Sequence, residues 1–224
     1  MVTPVTTEVS QALKKGTVVM GGTFDPIHHG HLRSAVDILD CFQFETLRLI
    51  PCFQPVHKGE PTVSAEQRLK MVELGIAADS RLSVDAREIL RAGPSYTFET
   101  LVELRAELGQ EEPLIMVVGM DSFLSLPTWA RWQDLLSVAH ILVISRPGWE
   151  PDFISTLESF YEKHRAESAT ELQCAPAGKI WMQSFTPLAI SSSQVRNLCR
   201  EKASIAYLVP ETIQRFIEAH SLYK

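Results

Sequence analysis

The chain has 224 residues, enough for one large domain with a sizeable buried core. Hydrophobic residues make up 45% of the chain and charged residues 21%, and the formal net charge is -6 at pH 7. This negative charge argues against a large electrostatic footprint for duplex nucleic acid, so we expect a small-molecule partner and no nucleic acid.

Cysteine usage and hydropathy exclude further classes. The cysteines, Cys41, Cys52, Cys174 and Cys199, form no CxxC pair, which indicates neither a disulfide framework nor a zinc knuckle. No apolar run approaches the roughly 18 residues that a membrane span needs, so no membrane partner is expected. Residues 1–16 lack the apolar stretch of a secretory signal and are interpreted as an N-terminal arm. We therefore expect a cytoplasmic protein whose single domain covers residues 17–224.

Apolar runs alternate with helical patterns along the chain, which is typical of stacked βαβ units and a mostly parallel sheet. Capping-box spacing from Ser64 to Gln67 marks the start of one helix. The predicted strands are 17–20, 47–50, 82–84, 114–118, 141–144 and 180–185. The predicted helices are one that starts near residue 30, one that follows Ser64, and those over 97–108, 133–138, 151–166, 191–202 and 211–219. This pattern predicts an α/β fold in which helices flank the sheet, with a small C-terminal helical part.

One segment between the first predicted strand and the first predicted helix carries the chemistry. It reads Gly21-Gly22-Thr23-Phe24-Asp25-Pro26-Ile27-His28-His29-Gly30-His31-Leu32. The glycines let the backbone pass close to a ligand, and the helix N-terminus offers unpaired N–H groups and a positive dipole. His28 and His31 are three residues apart on one helical face, so both imidazoles can converge on one phosphate. The segment matches neither GxxxxGK[ST] nor GxGxxG. It predicts a phosphate site, with helix capping or plain surface histidines as the structural alternative.

This segment resembles the signature of the nucleotidylyltransferase superfamily, whose HxGH element corresponds to residues 28–31. The second superfamily element, ISSTxxR, has its counterpart in Ile190-Ser191-Ser192-Ser193-Gln194-Val195-Arg196, where the third hydroxyl is serine. The serines can cap the helix that follows, and Arg196 is expected in its first turn, pointing at a phosphate. An ordinary capped helix with a surface arginine is the alternative.

Residues between these two elements resemble the bacterial nicotinate mononucleotide adenylyltransferase family most closely. The matching segments are Ser95-Tyr96-Thr97, Gly119-Met120-Asp121-Ser122, Trp129, Arg146-Pro147-Gly148, Gln54-Pro55-Val56-His57-Lys58, Tyr207-Leu208-Val209-Pro210 and Leu222-Tyr223. Cys52 and Val56 depart from the commoner asparagine and proline of the second loop. The resemblance implies a Rossmann-like fold. It also implies transfer of the adenylyl group of ATP to nicotinate mononucleotide, which gives nicotinate adenine dinucleotide and pyrophosphate in NAD biosynthesis.

The resemblance also assigns roles to residues. It implies that Asp121 positions the adenosine, that Trp129 stacks on the pyridine ring, and that Thr97 with backbone N–H groups reads the nicotinate carboxylate. An aromatic face suits a flat ring, and neutral donors suit a small anion. Core packing for Trp129, and helix capping for Thr97 and Asp121, are the alternatives. The expected catalytic residues are His28, His31 and Arg196. The expected ATP-binding residues are Gly21, Gly22, Thr23, Phe24, His28, His31, Gly119, Asp121, Arg146, Ser191, Ser192 and Arg196, and the expected mononucleotide-binding residues are His57, Lys58, Tyr96, Thr97 and Trp129.

The implied reaction is attack by the mononucleotide phosphate on the α-phosphorus of ATP. Because this nucleophile is already anionic near neutral pH, positioning and charge stabilisation are enough, and no nucleophilic side chain is required. Lys58 and Arg146 are expected to join the catalytic residues in stabilising charge. Mg²⁺ is expected as cofactor, held mainly by the ATP phosphates, and no metal site is expected on the protein.

Two other functions are compatible with the shared motifs. One is another superfamily activity, such as a pantetheine-phosphate adenylyltransferase or a cytidylyltransferase, and the other is a nucleotide-binding regulator without turnover. The segment Ser95-Tyr96-Thr97 and Trp129 favour a pyridine substrate, while the intact HxGH element and Arg196 favour turnover. Assembly into a homo-oligomer is left open by the sequence.

Overall fold

The computed structural model describes residues 16–56, 59–145, 153–185 and 188–224. The strands are β1 (Thr17–Gly22), β2 (Leu47–Pro51), β3 (Gln54–Pro55), β4 (Leu82–Val84), β5 (Pro94–Ser95), β6 (Leu114–Gly119), β7 (His140–Ser145) and β8 (Ile180–Ser184). The helices are α1 (His29–Phe42), α2 (Ala65–Ile76), α3 (Arg87–Arg91), α4 (Thr97–Leu108), α5 (Met120–Leu124), α6 (Ser155–His164), α7 (Glu171–Cys174), α8 (Ser192–Arg200) and α9 (Glu211–Ala219). Short 3₁₀ helices cover Leu126–Thr128 and Trp132–Ser137.

The main sheet has six strands in the order β4-β2-β1-β6-β7-β8, and every neighbouring pair is parallel. From β1 the chain adds β2 and β4 on one side and later adds β6, β7 and β8 on the other. The strand order therefore reverses between β1 and β6. Ligands of open α/β sheets bind outside the carboxyl ends of the strands at such a reversal, so this topology places a crevice where β1 and β6 end.

Buried residues cover both faces of the sheet, as an all-parallel sheet requires. Along β1 the side chains alternate: Val18 and Met20 belong to one apolar cluster, and Val19 belongs to the other. The first cluster includes residues of α1, α2 and α9, and the second includes residues of α4 and α5. The helices therefore hold β1 and β6 from both sides, which fixes the crevice between their ends.

The predicted α/β fold with a mostly parallel sheet flanked by helices is confirmed. The strand predicted over 82–84 and the helices predicted over 97–108 and 211–219 have the predicted bounds. The capping box is present at α2, where Ser64 Oγ accepts from the Gln67 N–H and the Gln67 side chain accepts from the Ser64 N–H. None of the helices in the described ranges could span a membrane.

Some boundaries and short elements differ from the sequence prediction. The helix predicted over 151–166 is observed over Ser155–His164, and residues 151–152 lie outside the described part. The segment predicted as a helix over 133–138 is the 3₁₀ helix Trp132–Ser137. The sequence prediction missed α3, α5, α7 and the two-stranded parallel sheet of β3 and β5, because these short elements show neither a helical period nor a continuous apolar run. The division into an arm over 1–16 and one domain over 17–224 stays a prediction, since residues 1–15 are not described.

Candidate active site

Two adjoining cavities open at the carboxyl ends of β1 and β6. The larger cavity has a volume of about 500 Å³ and is lined by the loop after β1, by His31, and by residues of α8. That volume lies within the range of roughly 300–1,000 Å³ that is usual for small-molecule sites. The smaller cavity, of about 150 Å³, is lined partly by the start of α4. Gly21, Gly22, Thr23, Ser122 and Trp129 line both cavities, so the two cavities share a wall.

The loop after β1 is held by a buried phenylalanine. Phe24 has a positive φ of 49° and is 3% exposed, and its ring meets the His31 ring edge-on with 5.2 Å between the centroids. A Cβ atom on Gly22 would lie 2.8 Å from the Phe24 ring, a distance that real Cβ atoms do not adopt. Glycine at this position therefore allows the strained Phe24 backbone to close against the strand. A Cβ atom on Gly21 would have no atom within 4 Å, and Gly21 lines the larger cavity.

The two histidines of the motif stack on each other. The His28 and His31 ring centroids are 3.7 Å apart and the ring planes differ by 24°. A Cβ on Gly30 would lie 2.9 Å from His28 Nδ1, so glycine between the histidines leaves room for the inner ring. His31 lines the larger cavity, whereas His28 is only 4% exposed and does not.

Burial fixes the charge of the inner histidine. Desolvation, with a smaller contribution from the neighbouring His29, lowers the pKa of His28 to about 4. His28 is therefore neutral near pH 7. Its Nδ1 atom makes no hydrogen bond to any described residue. His31 therefore lines the larger cavity, and the neutral His28 ring stacks against it.

The two superfamily elements are joined by direct hydrogen bonds. Ser191 caps α8 by accepting from the Gln194 N–H at 3.1 Å, and the Ser192 hydroxyl donates to the Pro26 carbonyl at 2.9 Å. Arg196 Nη1 donates to the Asp25 carbonyl at 2.6 Å. Both Ser192 and Arg196 line the larger cavity. The capping prediction is confirmed.

The expected position of Arg196 within its helix is wrong. Arg196 is the fifth residue of α8, which places it just after the predicted first turn, at the start of the second. Side chains of a helix lean toward its N-terminus. The guanidinium therefore still reaches the Asp25 carbonyl in the loop after β1. Its Nη2 atom also donates to Ser193 Oγ of the same helix at 3.2 Å.

The start of α4 lines the smaller cavity, which shares a wall with the larger one. Thr97 is the first residue of α4 and lines this cavity together with Ser95 and Trp129. The Phe53 N–H donates to Ser95 Oγ at 3.0 Å, which ties this segment to the loop after β2. Thr97 does not cap its helix, since Tyr96 occupies the cap position and makes no side-chain capping bond. The Thr97 hydroxyl is thus not used for capping.

The comparisons with known proteins identify the family. The family model described as "Cytidylyltransferase-like" matches residues 19–198. A protein of Marinomonas sp. named "Probable nicotinate-nucleotide adenylyltransferase" is 61% identical over 93% of this chain and 95% of its own length. A protein of the same name from Hahella chejuensis is 44% identical over 92% of this chain and 94% of its own length. The chain belongs to the nicotinate-nucleotide adenylyltransferases of the cytidylyltransferase-like family.

A solved structure agrees with the fold of this nicotinate-nucleotide adenylyltransferase family member. The structure of a Plasmodium falciparum nicotinic acid mononucleotide adenylyltransferase complexed with NaAD matches with a TM-score of 0.70. The alignment covers 93% of this chain and 97% of that one, at 18% sequence identity. At this identity the match supports the Rossmann-like fold alone.

The other residues predicted for the family's site are placed as follows. Gly119 ends β6 and lines the larger cavity, whereas Asp121 is exposed and lines neither cavity. Ser122, the next residue of α5, lines both. Tyr96 is half-buried beside Thr97 and lines neither cavity. His57, Lys58 and Arg146 lie outside the described residues.

The sequence analysis missed a buried cation below the site. Arg68 of α2 is 1% exposed and donates to the carbonyls of Thr23 at 2.8 Å, Cys52 at 2.6 Å and Phe53 at 2.8 Å. It thereby ties the loop after β1 to the loop after β2. Arg68 lies four residues before Val72, on the apolar face of α2. A charged residue at such a position is the sequence feature that could have predicted this buried arginine.

Two buried carboxyl groups were missed as site residues as well. Glu88 lines the smaller cavity and accepts from Thr100 Oγ1 at 2.7 Å, and burial raises its pKa. Nothing in the sequence around Glu88 marks it as buried. Asp25 is inside the quoted motif and is 5% exposed, but its partners come from distant parts of the chain.

Proposed function

We infer that this chain transfers the adenylyl group of ATP to nicotinate mononucleotide, giving nicotinate adenine dinucleotide and pyrophosphate in NAD biosynthesis. The observation that carries this conclusion is the shared wall between the two cavities, with His31 and Arg196 on one side and Thr97 on the other. A reaction that joins two nucleotides needs two adjoining sites. The curated relatives named nicotinate-nucleotide adenylyltransferase support the same activity.

We propose that the larger cavity receives the phosphates of ATP. A phosphate oxygen of the mononucleotide forms a bond to the α-phosphorus, and the bond from that phosphorus to the bridging oxygen breaks as pyrophosphate leaves with the electron pair. His31 and Arg196 would stabilise the negative charge that grows on the α-phosphate oxygens. Ser192 and Gly119 would contact the nucleotide from the same cavity, and Arg146 is proposed for the same work.

His28 has a different proposed role from His31. A histidine whose pKa is about 4 carries no charge near pH 7, so it cannot pair with a phosphate as a cation. We propose that the neutral ring holds the His31 imidazole in place by stacking against it. The pair then acts as one contacting group and one support.

The smaller cavity is proposed for the pyridine end of the mononucleotide. Trp129 offers a flat face at the shared wall, and Thr97 offers a hydroxyl and the N-terminus of α4. A carboxylate can accept from both the hydroxyl and the backbone N–H groups. Tyr96, His57 and Lys58 are proposed to complete this site, the last two by contacting the mononucleotide phosphate.

Mg²⁺ is the proposed metal, carried by the ATP phosphates. In the described ranges, no group of three or more His, Cys, Asp and Glu residues could hold a metal ion. The proposed ligands of the ion are phosphate oxygens and water, which is how Mg²⁺ is commonly bound. When bound, the ion would neutralise phosphate charge. We propose a cytoplasmic location, with ATP and nicotinate mononucleotide as the partners.

The test is product formation from ATP with three acceptors: nicotinate mononucleotide, nicotinamide mononucleotide and phosphopantetheine. We expect the acid to exceed the amide in kcat/KM by roughly tenfold or more, because the amide NH₂ would face donors and leave a polar group unpaired. Thr97→Val should narrow this ratio, whereas Thr170→Val, at an exposed position outside both cavities, should leave it unchanged. Equal values for acid and amide would refute the carboxylate site. Product formation with phosphopantetheine but with neither mononucleotide would refute the substrate assignment.

A further inference from the structure

Four distant segments of the chain meet at Asp25. The Tyr223 hydroxyl donates to Asp25 Oδ1 at 2.8 Å, and the Thr62 N–H donates to Asp25 Oδ2 at 2.8 Å. The Asp25 carbonyl accepts from Arg196 Nη1 at 2.6 Å. Asp25 and Tyr223 are 5% and 4% exposed, so the carboxylate depends on these donors and has little access to water.

Arg196 and the Asp25 carboxylate do not form a close ion pair. Arg196 Nη1 is 3.9 Å from Asp25 Oδ2, too far for a hydrogen bond, although it is 2.6 Å from the carbonyl of the same residue. Both carboxylate oxygens already accept from Tyr223 or Thr62. Loss of a donor would leave part of this buried negative charge uncompensated, and among the described residues the cavity-lining Arg196 is the cation within 4 Å of the carboxylate.

Tyr223 is suited to act as a lasting donor. It lies in the apolar cluster that includes Val195 of α8 and Ile217 of α9, and it lines neither cavity. Burial and the nearby Asp25 carboxylate raise the pKa of the Tyr223 hydroxyl, so it keeps its proton. Its ring is fixed by packing while its hydroxyl reaches the loop after β1.

We propose that Tyr223 is a positioning residue that keeps Arg196 on the cavity wall by occupying the Asp25 carboxylate. This inference rests on the proposed function, in which Arg196 contacts the phosphates. Without the Tyr223 hydroxyl, Asp25 draws the guanidinium into a close ion pair and away from the phosphates. Tyr223 then affects turnover without touching a substrate.

The first test is Tyr223→Phe, which keeps the ring and removes the hydroxyl. We expect kcat to fall on the order of tenfold, the effect of losing one hydrogen bond to a charged group, with an unchanged KM for nicotinate mononucleotide. The matched control is Tyr161→Phe in α6, whose half-buried ring packs on Phe123 outside both cavities. The control should keep the wild-type kcat. A wild-type kcat in folded Tyr223→Phe would overturn the inference.

A double-mutant cycle with Arg196→Met, which removes the positive charge, separates positioning from general stability. If Tyr223 acts through Arg196, Tyr223→Phe should lower kcat little further in the Arg196→Met background. Losses that multiply would show independent action and overturn the inference. If Tyr223→Phe does not fold, Thr62→Pro removes the other donor to the Asp25 carboxylate, and the same non-additivity with Arg196→Met is expected. Absence of product from the wild-type enzyme would instead refute the proposed function.

Discussion

The neutral state of His28 predicts how the stability of the protein depends on pH. Its pKa is about 4 in the folded protein against 6.5 for an unperturbed histidine. As pH falls, the unfolded chain therefore takes up this proton before the folded protein does. The stabilisation is fully present above pH 6.5 and is lost as pH falls toward 4. Because the side chain is 4% exposed, solvent screening reduces the effect little.

The size of the effect follows from the two pKa values. Between pH 7.5 and pH 5, linkage gives a loss of about 2 kcal/mol in the free energy of unfolding from His28 alone. Other titrating groups contribute as well, but they are present in both the wild type and a His28→Asn variant. The difference between the two pH dependences isolates His28.

The assay is urea denaturation of wild type and His28→Asn at pH 7.5 and pH 5. We expect the wild type to lose about 2 kcal/mol more than the variant over this interval. His220→Asn replaces an exposed histidine and should follow the wild type. Equal losses in wild type and His28→Asn would refute the conclusion that His28 is buried in its neutral form.

Two further substitutions test the shared wall and the histidine pair. Trp129→Ala should raise the KM for nicotinate mononucleotide by the equivalent of roughly 1–3 kcal/mol, the usual loss for a stacking aromatic; steady-state kinetics with each substrate varied would detect this, and a selective loss of ATP affinity would contradict it. Gly30→Ala should lower both Tm and kcat, because the new Cβ would lie 2.9 Å from His28 Nδ1. The control is Gly93→Ala, whose new Cβ would have no atom within 4 Å, and its free energy of unfolding should change by about 0.5 kcal/mol or less. Equal Tm values for Gly30→Ala and Gly93→Ala would contradict the predicted clash with His28.

The fold could be predicted largely from local patterns. The buried strand at Leu114–Gly119 and the capping box at Ser64 are each encoded by neighbouring residues, and the structure confirms both. The elements β3 and α5 show neither a helical period nor a continuous apolar run, so no local pattern indicated them. Alternation of strands and helices predicted a parallel sheet, but the strand order with its reversal beside β1 depends on non-local packing.

The site was predictable as a motif, not as a set of contacts. The segment from Gly21 to Leu32 indicated a phosphate site, yet the sequence treats His28 and His31 alike. Which imidazole is buried depends on the packing around Gly30. The link between Asp25 and Tyr223 spans 198 positions, and no local pattern records such a contact. The substrate came from resemblance to a family, since spacing alone indicates only phosphate binding.

The central claim is that His31 stabilises the α-phosphate charge during adenylyl transfer. Its most direct test is the kcat of His31→Ala with ATP and nicotinate mononucleotide. Because the imidazole is proposed to act mainly on charge that develops at the α-phosphate, we predict a loss in kcat on the order of 10² or more with little change in either KM. The exposed His220→Ala serves as control and should retain wild-type kinetics. A His31→Ala protein that is properly folded and keeps a near wild-type kcat would contradict the account.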